Sequence, residues 1–376
     1  MSKWAGKYAI GLTGGIATGK SVVRRMLEHL GTYTIDADTL SHRAISKGAP
    51  GYQPIVGAFG RWILNPDGEI DRIKLGKLAF NDPDALAQLE KVIHPLVEQA
   101  VDLIIRRAPQ PVVGIEAIKL LQSNLRSWCD SIWVVSVPPE VQLTRLMQIR
   151  HMNEAEARQR IAAQPSAEQF ASAAQVVIHN QGSFEETWRQ VSTAWQKLVP
   201  QQKEAEPAPV PAGTDFTVLR GKPRHSVEIA DLLNRLQKGV KPLTPNDIMA
   251  AFGEKAFLLL QSKQKSVGMM GWQVENLVAR ITDIALESSI PPAQALPVMV
   301  TEMEKASRDL QCEAALIFTS PELAAHEAIW SGLGYQKRTP QQLTIGVWQE
   351  AAMESMRPGL VMLFKQLRQD RILRPI

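Results

Sequence analysis

Apolar and polar positions in the first half of the chain follow two alternating patterns. Short apolar runs bounded by turn residues predict strands, whereas longer stretches with apolar residues three and four positions apart predict helices. The predicted strands are Tyr8–Leu12, Thr32–Ile35, Pro111–Ile115, Ser131–Val137 and Val176–Ile178. The predicted helices are Lys20–Leu30, Asp84–Arg107, Pro139–Arg150, Asn153–Ala163 and Phe184–Leu198. This alternation predicts an α/β fold in which helices cover a parallel sheet and ligands bind at the carboxyl ends of its strands.

The second half has a different order of elements, which predicts a separate α+β domain. Its predicted strands are Phe216–Arg220, Phe257–Gln261, Ser266–Trp272, Ala279–Leu286 and Ala314–Thr319, and its predicted helices are Ser226–Gln237, Leu296–Leu310 and Glu322–Leu333. Between the halves, residues 200–214 contain four prolines and no aromatic residue, a composition that cannot bury enough apolar area to fold. We therefore predict domains at 1–199 and 215–350, a Pro/Ala-rich linker at 200–214, and a basic helical tail at 351–376.

Composition and charge narrow the classes of function. The 376 residues are 45% apolar and 21% charged, as in ordinary globular proteins. No apolar run approaches the ~18 residues of a membrane-spanning helix, and the N-terminus does not resemble a secretory signal. The two cysteines, Cys129 and Cys312, form neither a disulfide framework nor a metal-ligand cluster. The net charge of +4 is spread over both halves. These features predict a cytoplasmic protein with no nucleic-acid and no membrane partner, and they leave its oligomeric state open.

The strongest chemical signal is a phosphate-binding loop between the first predicted strand and the first predicted helix. Gly14-Gly-Ile-Ala-Thr-Gly-Lys-Ser21 has the spacing of a P-loop. Backbone N–H groups of such a loop, together with the start of the next helix, bind the phosphates of ATP. Lys20 is expected to reach the β- and γ-phosphates, and the Ser21 hydroxyl to bind Mg²⁺. The predicted nucleotide-binding residues of the loop are Gly14, Gly15, Ile16, Ala17, Thr18, Gly19, Lys20 and Ser21.

Charged residues follow the second predicted strand. Asp36, Asp38 and Arg43 lie where an acceptor hydroxyl and an anionic substrate would approach the loop. Taken alone, the two aspartates fit helix-capping roles equally well.

Several motifs taken together resemble the dephospho-CoA kinase family over residues 8–195. They are Gly11-Leu-Thr-Gly-Gly-Ile-Ala-Thr-Gly-Lys-Ser21, Ile35-Asp-Ala-Asp38, Gly48-Ala-Pro-Gly51, Ile63 to Arg72, Leu75-Gly76, Leu89 to Val97 and Arg160-Ile-Ala-Ala-Gln164. The resemblance implies a P-loop kinase fold with a mobile lid, and transfer of the ATP γ-phosphoryl group to the ribose 3′-hydroxyl of dephospho-CoA, the last step of coenzyme A synthesis.

The resemblance also implies roles for individual residues. Asp38, with Asp36 beside it, would orient or deprotonate the hydroxyl, and Arg43 and His94 would lie at the acceptor site. The segment Arg145–Arg160 would form the lid, with Arg150 as the charge-neutralising arginine. Asn180 would border the adenine. In isolation, His94-Pro95 would more often be a packing pair at a helix end, and the arginines a solvated helix face.

Departures from the family pattern leave alternatives open. Glu116 to Gln122 replaces the family's Asp-x-Pro-Leu-Leu-Phe-Glu, a segment that shapes the CoA-side pocket, so Glu116 is an altered substrate-binding candidate. A nucleotide- or CoA-binding regulatory pseudokinase is therefore an alternative to an active kinase. Ala17 replaces a common loop glycine, a replacement that is tolerable if this position has a negative φ.

The second half resembles GNAT-type acetyltransferases, most clearly in Ala325 to Tyr335. This resemblance makes a bifunctional protein a third reading. However, Ser289–Pro297, which stands at the position of the family's acyl-CoA pyrophosphate loop, has no glycine and three prolines, and proline removes N–H donors. A degenerate module is therefore expected, with Tyr335 more plausible as a packing residue than as a general acid.

Overall fold

The computed structural model describes residues 3–198, 216–236, 242–263 and 265–369, apart from the side chain of Phe80. These residues form two compact units that divide between Ala194 and Trp195. The predicted linker at 200–214 lies outside the described residues. No helix of the described part is long and apolar enough to cross a membrane.

The first unit is built around a five-stranded, wholly parallel sheet with strand order β2-β3-β1-β4-β5. Its strands are β1 (Tyr8–Thr13), β2 (Tyr33–Asp36), β3 (Val112–Glu116), β4 (Ser131–Ser136) and β5 (Val176–His179). Every residue of β3 is buried, as expected for a strand covered by helices on both faces. The sheet and its alternating helices confirm the predicted α/β class for this half.

Nine α-helices surround or extend this sheet within the described residues. They are α1 (Lys20–His29), α2 (Ala37–Ala44), α3 (Tyr52–Phe59), α4 (Arg72–Asn81), α5 (Pro83–Arg107), α6 (Pro139–Arg150), α7 (Glu154–Ala162), α8 (Ala167–Ala173) and α9 (Phe184–Leu198). Apolar periodicity predicted α1, α5, α6, α7 and α9. The other four, α2, α3, α4 and α8, were missed. Side-chain N-caps help to explain why three of them form: Asp36 caps α2, Asp71 caps α4 and Ser166 caps α8.

Strand register determines which residues meet at the carboxyl edge of this sheet. Asp36, the last residue of β2, pairs with Glu116, the last residue of β3. Glu116 also pairs with Leu12 of β1, just before the glycine-rich loop. The acidic residues that follow two strands and the loop that follows a third are therefore placed side by side.

The second unit contains a seven-stranded mixed sheet with order β11-β12-β10-β9-β8-β7-β6, in which β9 and β10 form a parallel pair. Its strands are β6 (Phe216–Arg220), β7 (Ala256–Ser262), β8 (Lys265–Glu275), β9 (Val278–Leu286), β10 (Ala314–Thr319), β11 (Gln336–Lys337) and β12 (Val361–Gln366). Its helices are α10 (Ser226–Leu236), α11 (Pro245–Ala251), α12 (Pro292–Asp309), α13 (Pro321–Ala324), α14 (Glu327–Gly332) and α15 (Gly346–Ser355). A core of residues from β6 to β10 and α12 holds it together.

Two predictions for this half were wrong. The predicted helical tail contains the strand β12, which pairs antiparallel with β10 and β11. Its Met362 and Leu363 are each 1% exposed and lie on opposite faces of the sheet. Both faces of the strand are therefore buried. In sequence such a strand lacks the alternation of apolar and polar residues that identifies strands, and it was taken for part of a helix. The single helix predicted at Glu322–Leu333 is divided into α13 and α14. The indole N–H of Trp330 donates to the carbonyl of Leu323 across the break, at 2.9 Å.

Candidate active site

The glycine-rich loop joins β1 to α1 and depends on glycine at two positions. Gly14 has φ +145° and Gly19 has φ +89°, a region that favours glycine. A Cβ atom on Gly14 would lie 2.3 Å from the carbonyl oxygen of Val135, and one on Gly19 would lie 2.0 Å from Nδ2 of Asn180. Larger side chains are therefore excluded both by conformation and by space.

Ala17 also lies in the left-handed region, with φ +59°. The condition under which alanine is easily tolerated here, a negative φ, is therefore not met, since the loop keeps the backbone shape that a glycine would adopt. An alanine in this conformation costs roughly 1–2 kcal/mol through the contact of its Cβ with the neighbouring carbonyl. The loop is thus held in shape by contacts from outside it.

Those contacts come from side chains on the outer side of the loop. Nε2 of Gln142 donates to the carbonyl of Ile16 at 2.6 Å, and Nδ2 of Asn180 donates to that of Thr18 at 2.9 Å. The Arg145 guanidinium donates to the carbonyls of Ala17 and Thr18 at 3.4 and 3.3 Å. Each of three successive loop carbonyls is therefore held by a side-chain donor.

Lys20, the first residue of α1, is buried inside the loop. Its Nζ donates to the carbonyls of Gly14 and Gly15, both at 3.0 Å. Burial lowers the pKa of Lys20, while the carboxylates of Glu116 and Asp38 oppose this shift. The charge of Arg150 lowers the same pKa further, which places Arg150 within electrostatic range of Lys20.

The two aspartates after β2 have different surroundings. The carboxylate of Asp36 accepts from the N–H of Thr39 at 2.9 Å and caps α2, so its capping interpretation is confirmed. Asp38 instead accepts from the N–H of Ile118 at 3.0 Å. Burial raises the pKa of Asp38, the Ile118 N–H opposes this, and the nearby charge of Asp36 adds to the rise. The pKa of Asp38 therefore lies above the usual value for an aspartate.

Glu116 lies at the same edge but turns toward α1. Its carboxylate pairs with Nε of Arg24 at 2.7 Å, and Arg24 also pairs with Glu28 at 3.1 Å. Burial raises the pKa of Glu116, and Arg24 opposes that rise. Burial alone would lower the pKa of Arg24, but Glu28 and Glu116 outweigh it and raise the pKa. The ion pair with Arg24 engages Oε2 of Glu116.

The remaining candidate residues are distributed around the loop. Ser21 is the second residue of α1 and is exposed. Arg43 is buried in the last turn of α2. His94 is half-buried in the middle of α5, which continues through Pro95, so the pair does not mark a helix end. Arg150 is exposed at the end of α6. The structure thus brings Lys20, Asp36, Asp38, Glu116 and Arg150 into one electrostatic neighbourhood.

A cleft of about 290 Å³ opens beside the loop. Its wall includes Gly15 and Thr18 of the loop, the end of β4, and Phe170 of α8. A ligand in this cleft would touch the loop directly.

Sequence reasoning missed several residues of this site. Gln142 and Arg145 lie three positions apart on α6 and so share one helix face. That spacing could have indicated that both side chains meet the loop, but the sequence analysis singled out Arg150 in this helix. Gln164, whose Oε1 accepts from the N–H of Ile16 at 2.7 Å, ends the motif Arg160-Ile-Ala-Ala-Gln164, but the sequence did not indicate that it contacts the loop. Arg24 gave no signal, because its partner Glu116 is 92 positions away.

The second unit contains no comparable arrangement among the described residues. Its helix α12 begins at Pro292 after the N-cap Pro291, so neither residue offers an N–H to an anion at that helix start. Tyr335 is 3% exposed and packs edge-on against Trp330, which supports the packing role. No group of three or more His, Cys, Asp or Glu side chains in the described ranges could hold a metal ion.

Comparison with known proteins adds independent findings. A family model for dephospho-CoA kinase matches residues 8–186. A dephospho-CoA kinase from Geobacter sulfurreducens is 43% identical over 194 residues, which cover 51% of this chain and 98% of the relative. A solved dephospho-CoA kinase from Campylobacter jejuni is 24% identical, with a TM-score of 0.37, and covers 51% of this chain and 97% of its own. A GNAT-family acetyltransferase from Staphylococcus aureus Mu50 covers 41% of this chain and 99% of its own, at 10% identity and a TM-score of 0.34.

Proposed function

This chain belongs to the dephospho-CoA kinase family, and from that premise we propose which of its own residues carry out the reaction. The function is that of an ATP-dependent kinase that converts dephospho-CoA to coenzyme A. The family match accounts for the first unit. The observation that carries the assignment of residues is the meeting of the glycine-rich loop, Lys20 and Asp38 at one sheet edge.

Gly14 to Ser21 would hold the phosphates of ATP. The fit rests on the shape of the loop: Gly14 and Gly19 adopt conformations that exclude side chains, and the ammonium group of Lys20 is inside the loop. On binding, Lys20 exchanges its two carbonyl acceptors for phosphate oxygens, which are stronger partners because they are charged. The Ser21 hydroxyl at the start of α1 would bind Mg²⁺, which neutralises phosphate charge during transfer.

Asp38 would orient the ribose 3′-hydroxyl of dephospho-CoA and accept its proton. Its raised pKa makes it a better base than an ordinary exposed aspartate. Asp36, whose carboxylate caps α2, would act on Asp38 through its charge. Phosphoryl transfer depends mainly on positioning and charge neutralisation, so one carboxylate at the hydroxyl suffices.

Arg150, Arg43 and His94 complete the proposal. Arg150, at the end of α6, would neutralise charge on the transferring group, and the segment Arg145–Arg160 would form the lid. Arg43 on α2 and His94 on α5 would bind the acceptor. For Glu116, we propose an indirect role through Arg24 as an alternative to direct substrate contact, because the two side chains already form a buried ion pair.

The domain division is also proposed: a kinase domain at 1–199, a linker at 200–214 and a second domain from 215 onward. The separation of the described residues into two compact units supports it. The absence of a spanning helix from the described part supports the proposal of a cytoplasmic enzyme acting on a small molecule.

A coupled assay of the full chain with ATP and dephospho-CoA tests this function. We expect ADP release to depend on dephospho-CoA and to fall by at least about a hundredfold in Lys20→Ala and Asp38→Asn, since each removes a charge from the reacting centre. Asp71→Asn, at the exposed cap of α4, is the control and should retain activity, because asparagine caps equally well. Unaltered turnover in Lys20→Ala or Asp38→Asn would refute these assignments. ATP binding without transfer by the unaltered chain would favour the pseudokinase.

A further inference from the structure

Three side chains outside the glycine-rich loop bind its carbonyl groups, and none of them belongs to the motif. We propose that Gln142, Arg145 and Asn180, here called the carbonyl brace, are positioning residues that turn the loop's N–H groups toward the nucleotide phosphates. This inference rests on the proposed role of Gly14 to Ser21 and extends it to residues that need not touch the nucleotide.

The brace acts on consecutive peptide groups. Gln142 binds the carbonyl of Ile16, Arg145 binds those of Ala17 and Thr18, and Asn180 also binds that of Thr18. Three adjacent peptide planes are therefore fixed from one side.

The geometry of the peptide bond transmits this effect to the other side. The described backbone contains no cis peptide bonds, and in a trans peptide the C=O and the following N–H point in opposite directions. Carbonyls held outward therefore turn the N–H groups of Ala17, Thr18 and Gly19 inward. In this structure the Thr18 N–H makes only a long contact, 3.4 Å, with the carbonyl of Gly15. A charged phosphate oxygen is a stronger acceptor and would replace it.

The brace is itself held firmly. Oδ1 of Asn180 accepts from the Thr187 hydroxyl at 3.1 Å. The backbone N–H of Asn180 donates to the carbonyl of Ser136 at 3.0 Å. The second guanidinium nitrogen of Arg145 donates to the carbonyl of Asn180 at 2.7 Å, which joins two members of the brace. Asn180 and Gln142 are both buried. Residues fixed in this way can hold Ala17 in its unfavourable backbone conformation.

Apolar contacts and one further amide reinforce the attachment of the loop to α6 and α7. The side chain of Ile16 is buried with Leu146 and Ala157, and its N–H donates to Gln164. The loop therefore starts in the conformation required for binding, so less ordering is needed when the phosphates arrive.

The proposal assigns Asn180 a different task from contact with the adenine, and the two can be separated by the choice of ligand. Pyrophosphate has no base, whereas ADP carries both base and phosphates. A residue that shapes the phosphate cradle must affect both ligands equally, while a residue that contacts the base affects ADP alone.

Calorimetric titration of the full chain with Mg·ADP and with Mg·pyrophosphate makes this test. Gln142→Met and Asn180→Leu remove the donor without adding charge. Each substitution should weaken the binding of both ligands by about tenfold and by the same factor, as the loss of one hydrogen bond that positions the loop backbone implies. Arg145→Lys keeps the charge but loses the planar fork, and should also weaken the binding of both ligands by the same factor.

Gln175→Met is the matched control. Gln175 is an exposed amide of the same unit, and its Oε1 accepts from the N–H of Ile132 at 2.6 Å, away from the loop. It should lose thermal stability but retain both affinities. Stability is measured for every variant, and Arg145→Lys provides the test if the other two do not fold.

Three results would overturn the proposal: pyrophosphate affinity unchanged in the brace variants, an equal loss in Gln175→Met, or no pyrophosphate binding by the unaltered chain. Failure of the proposed function gives a different pattern of results. An unaltered chain that binds both ligands but transfers no phosphoryl group would refute the kinase activity, and it would not contradict the positioning role of the brace. Conversely, if the chain is an active kinase and all brace variants bind both ligands normally, the positioning role of the brace is refuted and the proposed function is not.

Discussion

The ion pair between Arg24 and Glu116 provides the sharpest stability prediction for the first unit. Both side chains are largely buried, at 12% and 9% exposure, and their atoms are 2.7 Å apart. Replacing Arg24 with methionine keeps most of the side-chain volume but removes the cation. Glu28, which also contacts Arg24, retains its ion pair with Arg25 at 3.1 Å. The main consequence is therefore an uncompensated carboxylate at Glu116.

The size of the effect follows from the burial of that carboxylate. Removing one partner of a buried ion pair costs about 3–5 kcal/mol, because the remaining charge keeps its desolvation penalty. The cost depends on pH in a definite direction. The pKa of Glu116 in the folded protein is raised by burial even with Arg24 present, and Arg24→Met raises it further. For a carboxyl with a raised folded pKa, stability is greatest below its unfolded pKa and decreases as pH rises through the folded value.

Urea unfolding of the full chain at pH 5 and pH 8 measures this. The transition of the first unit is identified by its shift to higher urea when Mg·ADP is added, since a ligand stabilises the unit that binds it. Arg24→Met should be destabilised more at pH 8 than at pH 5. Arg24→Met/Glu116→Gln should recover most of the loss, because no buried charge remains.

Arg106→Met is the matched control for that experiment. Arg106 pairs with Asp102 at the same distance, 2.7 Å, but it is 62% exposed, and exposed pairs contribute little to stability. A loss below about 1 kcal/mol in Arg24→Met, or an equal loss at both pH values, would show that Glu116 is not desolvated as described here.

Two further predictions concern the loop and the general base. Ala17→Gly should stabilise the first unit by about 1 kcal/mol in the same urea experiment, because glycine adopts the left-handed backbone conformation without strain. Ala87→Gly, on an exposed part of α5, is the control and should lower the free energy of unfolding by about 1 kcal/mol. A loss of stability in both variants would mean that Ala17 is not strained. The pH profile of kcat/KM, which reports the free enzyme, should have an acidic limb above the usual aspartate pKa, because burial and the charge of Asp36 raise the pKa of Asp38. Asp36→Asn should move this limb to lower pH while keeping the cap of α2, and an unmoved limb would exclude Asp38 as its source.

The sequence predicted the architecture of the first unit well. All five strands appear within about two residues of their predicted limits, because each is a short apolar run bounded by turn residues. The glycine-rich loop was equally clear, since its glycines and lysine are adjacent in the chain. Belonging to the dephospho-CoA kinase family was evident from the order of several such local motifs.

The second unit was predicted less well at its end. The strand β12 was taken for part of a helical tail, because a strand buried on both faces loses the alternation that identifies strands. Its location between β10 and β11 depends on pairing with residues far away in the chain.

What the sequence by itself determined is the set of features held by neighbouring residues: the strands, the longer helices, the loop motif and its family. Only the tertiary structure decided how the loop is held. Gln142, Arg145 and Asn180 meet at three loop carbonyls, and Ala17 takes the left-handed conformation that those contacts sustain. The ion pair of Arg24 with Glu116 likewise depends on α1 packing beside β3. Such contacts join residues separated by many positions, and their energy depends on burial, which the order of residues does not state.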